Sequence, residues 1–204
     1  VVKEKSNRAM ELLIITVKPK TLILGKVLAL SAAVLIEMGL IVGGLLLGLK
    51  INTSKYSDTM REIVSNLNYK VLGVGLVFMI TGFVMFMFIY AAFASLVSKM
   101  EDVNGAVMLP TLLFMAAFFV NFYILQQGAN TKLAAILSYF PLTSYFVMFT
   151  RYALGNASLQ NLQLSYAILA ITTIIIALAC VRVYRSATLR YGQKLKFFKL
   201  LFGK

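Results

Sequence analysis

The chain has 204 residues, 60% of them apolar, with a mean hydropathy of +0.86 and a formal net charge of +13. Several apolar runs approach the ~20 residues needed to cross ~30 Å of hydrocarbon, which leaves little room for a soluble domain. They are too long, too many and too widely spread for a signal peptide to account for them. With no histidine and a single cysteine, Cys180, inside an apolar run, neither an intrachain disulfide nor a cysteine-based metal site can be built.

The chain opens on Val1-Val2 without an initiating Met and reads as a fragment of something longer. Its first element is amphipathic. At 100° per residue Glu4, Asn7, Arg8, Glu11 and Lys18 share one stripe of a helix, and Ala9, Met10, Leu12, Leu13 and Val17 form the opposite face. This pattern predicts a helix lying along a membrane surface. Glu4 precedes Arg8 by one turn, the favourable order for an intrahelical pair. Pro19 then ends or turns the helix, because it lacks an N–H and disfavours helical geometry at Lys18.

The first span is read at about 22–49. It carries Gly39 and Gly43, then Gly44 and Gly48, at a spacing that lets another helix approach closely. A polar segment from Lys50 to Lys70 leads to the second span, about 71–97, rich in Phe and Met. A short turn follows, and the third span, about 108–125, has Pro110 near its start, where proline costs a helix least. Residues 132–153 are apolar but broken by Pro141 and closed by Arg151. The last span is about 164–183, and 185–204 form a basic tail.

If 132–153 crosses, there are five spans; if it dips in and returns, there are four. Four spans with both termini cytoplasmic put thirteen Lys and Arg inside and six outside, with Lys26 within the first span; five spans give twelve against seven. Pro141 and the flanking Arg151 favour a broken, re-entrant or outer-surface hairpin. Such backbone must be buried against protein or line a wet cavity. The fold expected is therefore all-α and integral to the membrane, with an N-terminal cytoplasmic helix over 1–20 and a transmembrane domain over 21–184. The clustering of basic residues at span edges assigns the charge to topology, not to nucleic acid.

Enzyme signatures are missing: the residues of triads, dyads and zinc sites are not there. Nor is there a phosphate loop, since Gly25-Lys26 is followed by Val27 at the head of a membrane helix. Any ATP that drives the protein is hydrolysed, with its Mg, on another chain. Glu37 is the one acid deep in a span, where such a group costs about 2.5–3.5 kcal/mol on translocon scales and should face protein, water or a partner. It is the first candidate for an ion or substrate path. Asn121 and Tyr90 are further candidates, with interhelical hydrogen bonding as the alternative. Pro141 and Arg151 could shape an outer gate, with interfacial anchoring as the plainer role for Arg151.

The stretch from Glu4 to Lys26 resembles the permease subunits of type 2 ABC exporters, in particular the branch that includes sodium-export permeases. The resemblance rests on Glu4-Lys5, Arg8, Glu11-Leu12-Leu13, Lys18-Pro19 and Leu24-Gly25-Lys26, on the turn from Ser95 to Gly105, on Phe140 to Ser144 with Arg151, and on Tyr184-Arg185 with Leu189 to Gly192. It implies a permease working in a dimer, with a second copy or a homologue, on two ATPase subunits. It also implies a missing N-terminal part that includes a large extracytoplasmic domain, and a broken hairpin between the last two spans. Glu4, Arg8, Glu11, Lys18 and Pro19 become the ATPase-coupling residues, and sodium one possible cargo. The competing reading from another class is a non-transport assembly or sensor subunit whose basic tail binds anionic lipid.

Overall fold

The structure, a computed structural model, describes residues 2–6, 17–52 and 68–188, with the isolated positions 55, 57, 62, 64 and 65 between them. Among these residues the chain forms α1 (Val2–Ser6), α2 (Pro19–Ile51), α3 (Tyr69–Ser95), α4 (Val103–Gln127), α5 (Lys132–Leu137), α6 (Pro141–Ala153) and α7 (Leu159–Thr188). Four of them, α2, α3, α4 and α7, are long and apolar enough to cross a membrane. The protein is an all-α membrane protein, as its composition dictates: in hydrocarbon a helix satisfies its own backbone polar groups.

Local chemistry sets the helix ends. Pro19 is the first residue of α2, where its missing N–H is not needed, and Lys18 before it is extended. Asn68 caps α3, its side chain accepting from the N–H groups of Lys70 at 3.1 Å and Val71 at 3.4 Å. Thr131 does the same for α5 through Ala134 N–H at 3.2 Å. The region 128–155 is bounded at each end by a glycine of positive φ, Gly128 at 103° and Gly155 at 73°, a conformation that side chains with a Cβ rarely adopt.

One expectation needs correcting. α4 begins at Val103, so Pro110 is not near its start but two turns inside the helix, and it is buried. The polar run Ser98 to Gly105 reads as a turn, yet from Val103 onward it already belongs to the helix. Proline at that depth forgoes the bond to Ala106 carbonyl.

The bundle has a core at each end and a third cluster under the hairpin. At one end Ile23 and Val27 of α2 meet Phe88 and Ala92 of α3 and Cys180 and Tyr184 of α7. This places the start of α2 beside the end of α7. Farther along, Phe78, Met85 and Phe86 of α3 pack with Ala117, Leu162 and Leu169 around Tyr145 and Met148 of α6. Ile124, Ala129, Ala134 and Val147 close the third cluster. α6 is thus inside the bundle, in contact with α3, α4 and α7. Tyr145 meets Phe86 at 5.8 Å between ring centroids, and Phe146 meets Phe114, near the middle of α4, at 6.0 Å. The helices α5 and α6 form a helical hairpin broken at Ser138 to Phe140.

Close approach of α6 to α3 depends on two glycines one above the other. A Cβ on Gly75 would lie 2.9 Å from Phe149 Cδ2, and one on Gly82 would lie 2.7 Å from Tyr145 Cβ. The glycines picked out by spacing behave otherwise: Gly39, Gly43, Gly44 and Gly48 have nothing within 4 Å of that position. From Ala32 to Ile51, α2 has no buried residue, so this stretch is only partly covered by the other described helices.

Candidate functional site

The hairpin is organised around Arg151, which is only 7% exposed. Its Nε donates to Ala129 carbonyl at 3.1 Å, one terminal nitrogen to Ser138 Oγ at 2.8 Å, and the other to Asn156 carbonyl at 3.0 Å. The guanidinium therefore ties the start of the hairpin, its central break and its exit. A buried cation is tolerable here because each acceptor presents a partial negative charge along a donor direction of the rigid fork. Ser165 Oγ of α7 donates to Ser138 carbonyl at 2.6 Å, and Thr143 Oγ donates to Leu137 carbonyl at 2.6 Å. Pro141 opens the first turn of α6 just past these contacts.

Asn121 and Tyr90 are both engaged across helices. Thr150 Oγ of α6 donates to Asn121 Oδ1 of α4 at 2.8 Å, and the hydroxyls of Tyr90 and Thr111 share a 3.0 Å bond between α3 and α4. Tyr145, 3% exposed, has a buried hydroxyl without a hydrogen-bond partner among the described residues. The Asn121–Thr150 bond gives a measurable expectation: in a double-mutant cycle of Asn121→Leu and Thr150→Val, the coupling should be about 0.6 kcal/mol, the average of interhelical bonds in membranes, and no more than about 1.7 kcal/mol. Thermal unfolding of the purified protein in detergent measures it.

Glu37 stands elsewhere, exposed on α2. It does not join Asn121 and Tyr90 at one site. On the other side of α2, Leu35, Met38, Val42 and Leu46 face Leu76, Met79 and Phe83 of α3 across a cavity of about 600 Å³, with Phe114 and Phe146 behind. Its lining carries no charged side chain.

At the other end of the bundle Glu4 of α1 forms an ion pair with Lys26 of α2. Partial burial works to raise the Glu4 carboxyl, but the hydrogen bond and charge of Lys26 act the other way, and the net shift is downward. Lys26, Val2 and Tyr90 line a smaller cavity of about 290 Å³ between α1, α2 and α3. Arg8 and Glu11 lie outside the described residues; Lys18 is exposed beside Pro19 at the turn into α2.

Sequence reasoning missed the Glu4–Lys26 pair, Gly75 and Gly82, and the Ser138, Thr143 and Ser165 bonds. Hydroxyl residues within apolar segments were the available signal for the last three, since each needs a partner there.

The family model for ABC-2 family transporter proteins matches residues 1–182. The uncharacterized protein YhaP of Bacillus subtilis is 27% identical over 202 residues, covering 97% of this chain and 48% of its own length. The uncharacterized protein MJ1024 of Methanocaldococcus jannaschii is 24% identical over 210 residues, covering 100% of this chain and 48% of its own length. The chain thus spans about half the length of these curated relatives. No solved structure matches it.

Proposed function

The chain belongs to the ABC-2 family of transporter proteins, and from that premise we propose that it is the membrane-spanning permease portion of an ATP-driven exporter. In this reading ATP and Mg bind a partner ATPase at the cytoplasmic face, and the permease works beside a second copy or a homologue. The observation that carries the proposal is the tie between α1 and α2. Glu4 and Lys26 join the short N-terminal helix to the first span, so a push delivered to α1 reaches the membrane directly.

The rest of α2 supports a moving role. It is packed at Ile23, Val27 and Ser31 and has no buried residue beyond, so tilting it would disturb few contacts. Tilting would also change the cavity between α2 and α3, which is lined by apolar and aromatic side chains of the kind that holds a small molecule. Glu37, exposed on the face of α2 away from this cavity, offers a charge for an ionic cargo on that face; Asn121, bonded to Thr150 of the hairpin, and Tyr90, beside Lys26 at the other end, stand off the cavity. Pro141 and Arg151 would bound its outer end. The cargo is an ion or a small molecule, moved outward.

Two measurements test this on the full-length protein co-expressed with its ATPase. A cysteine crosslink from Glu11 and its neighbours should capture the ATPase; failure at every position in a working complex removes the coupling role. The charge swap gives the second. Lys26→Glu alone should uncouple ATP hydrolysis from transport, and Glu4→Lys added to it should restore much of the coupling. An unchanged transport-to-hydrolysis ratio in Lys26→Glu would count against transmission through this pair.

A further inference from the structure

Two cavities follow one another along a single stripe of α3. Leu76, Ile80 and Phe83 wall the larger, of about 600 Å³, and Met87, Tyr90 and Ala94 wall the smaller, of about 290 Å³. These residues recur every three or four positions, so they share one face of the helix, a face roughly 27 Å long at the helical rise. α4 backs both cavities, through Val107 and, two turns on, Phe114. The stripe is chemically polarised. The larger cavity has no charged side chain, and Met38, Leu76 and Phe114 stay 41%, 46% and 38% exposed on its rim, so it opens sideways into hydrocarbon. The smaller one holds Lys26. Lys26 and Lys50 bracket residues 27–49 of α2, roughly 35 Å at the helical rise, which sets Lys26 at head-group depth. Exposed Lys18, Lys20, Arg182 and Arg185 stand at this end of the bundle against Glu4, Glu101 and Asp102, so the local charge is positive.

We propose that this cleft binds one anionic membrane phospholipid, with its phosphate against Lys26 and an acyl chain running along the α3 stripe into the larger cavity. Charge complementarity selects the occupant. An acyl chain that leaves hydrocarbon for an apolar cleft gains no hydrophobic energy, so the head group decides which lipid stays, and the ammonium of Lys26 favours an anion. A further helix does not fit: at 10–12 Å across, about one to two turns would fill the larger cavity, and a span needs about five. Lys26 also holds Glu4, so the lipid phosphate and this carboxylate compete for one cation. The inference rests on α2 and α3 crossing the membrane and not on ATP coupling, so either can fail without the other.

The test is photolabelling of the full-length protein in phosphatidylcholine vesicles that carry a trace of phosphatidylglycerol with a diazirine near the end of one acyl chain, the adducts being located by mass spectrometry. Labels should fall on residues lining the larger cavity, several-fold more than with the same chain on phosphatidylcholine. Excess unlabelled phosphatidylglycerol should compete, and inorganic phosphate should not. Lys26→Gln should bring the yield down to that of the phosphatidylcholine probe. Glu4→Gln, which removes the competing carboxylate, should leave it equal or higher, whereas a merely structural ion pair would lower both alike. The competition arm uses the wild-type protein and decides the matter where a variant misfolds. Equal labelling by the two probes, competition by inorganic phosphate, or labels confined to other faces of the bundle would overturn the proposal.

Discussion

Arg151→Ala is expected to unseat the hairpin. The substitution deletes three charge-assisted hydrogen bonds and strands the carbonyls of Ala129 and Asn156, one of them on a residue only 2% exposed. A single bond to a charged group contributes about 1.5–3 kcal/mol, and an orphaned buried acceptor adds its own desolvation cost. Some of this is recovered by relaxation and by entering water, so a net loss on the order of 3 kcal/mol is the reasonable magnitude. Arg151→Lys should rescue little. An ammonium is a point charge on a flexible stem, and one nitrogen cannot meet acceptors that surround a planar fork. Thermal unfolding in detergent should rank wild type well above the lysine variant, with alanine lowest. If Arg151→Ala melts within a degree or two of wild type, the guanidinium is not what holds the hairpin.

Gly82→Ala should be the most damaging single-methyl change in the spans. The new Cβ would lie 2.7 Å from Tyr145 Cβ, an atom fixed to the α6 backbone, so relief requires α3 and α6 to part. Overpacking of this kind typically costs 1–3 kcal/mol, and parting the helices would also open contacts of Phe86 and Met148 in the same cluster. Gly75→Ala meets the rim of the Phe149 ring instead, which can swing, and should cost less. Gly43→Ala and Gly73→Ala meet nothing within 4 Å and, through alanine's better helix propensity, should be neutral or slightly stabilising. Unfolding midpoints of the four variants check the order Gly82, Gly75, then the other two. Equal losses across all four would show that helix backbone effects, not the α3–α6 contact, dominate.

These two sites also show what could and could not be read from the chain. Apolar runs report membrane crossing because hydrocarbon imposes one requirement on every residue, and the four long helices among the described residues follow from it. The break at Pro141 is local chemistry and is equally legible. The start of α4 is not, because Asp102, Asn104 and Gly105 look like a turn and are nonetheless taken into a helix; Pro110 was placed wrongly as a result. Arg151 is visible as a charge, but its role depends on carbonyls of residues 129 and 156 converging on it, and carbonyls are identical in every residue. Glycine spacing does not say which partner comes: Gly44 and Gly48 meet nothing among the described residues, whereas Gly75 and Gly82 become a seat because α6 is there to fill it. The Glu4–Lys26 pair spans 22 positions, beyond any helical period.

The three-way grip of Arg151 and the Ser165–Ser138 bond have a consequence for biogenesis. The hairpin is synthesised before α7, yet Ser165, which closes on its break, belongs to α7. Until α7 has inserted, the broken backbone at Ser138 to Phe140 has no wall on that side, and lipid cannot satisfy it. The hairpin must therefore wait at the membrane boundary and slot in last, after the fourth crossing is made. A ribosome stalled so that Gly155 has left the exit tunnel while α7 is still inside it should leave 132–153 open to protease and to aqueous thiol reagents at engineered cysteines, and release of the complete chain should close it.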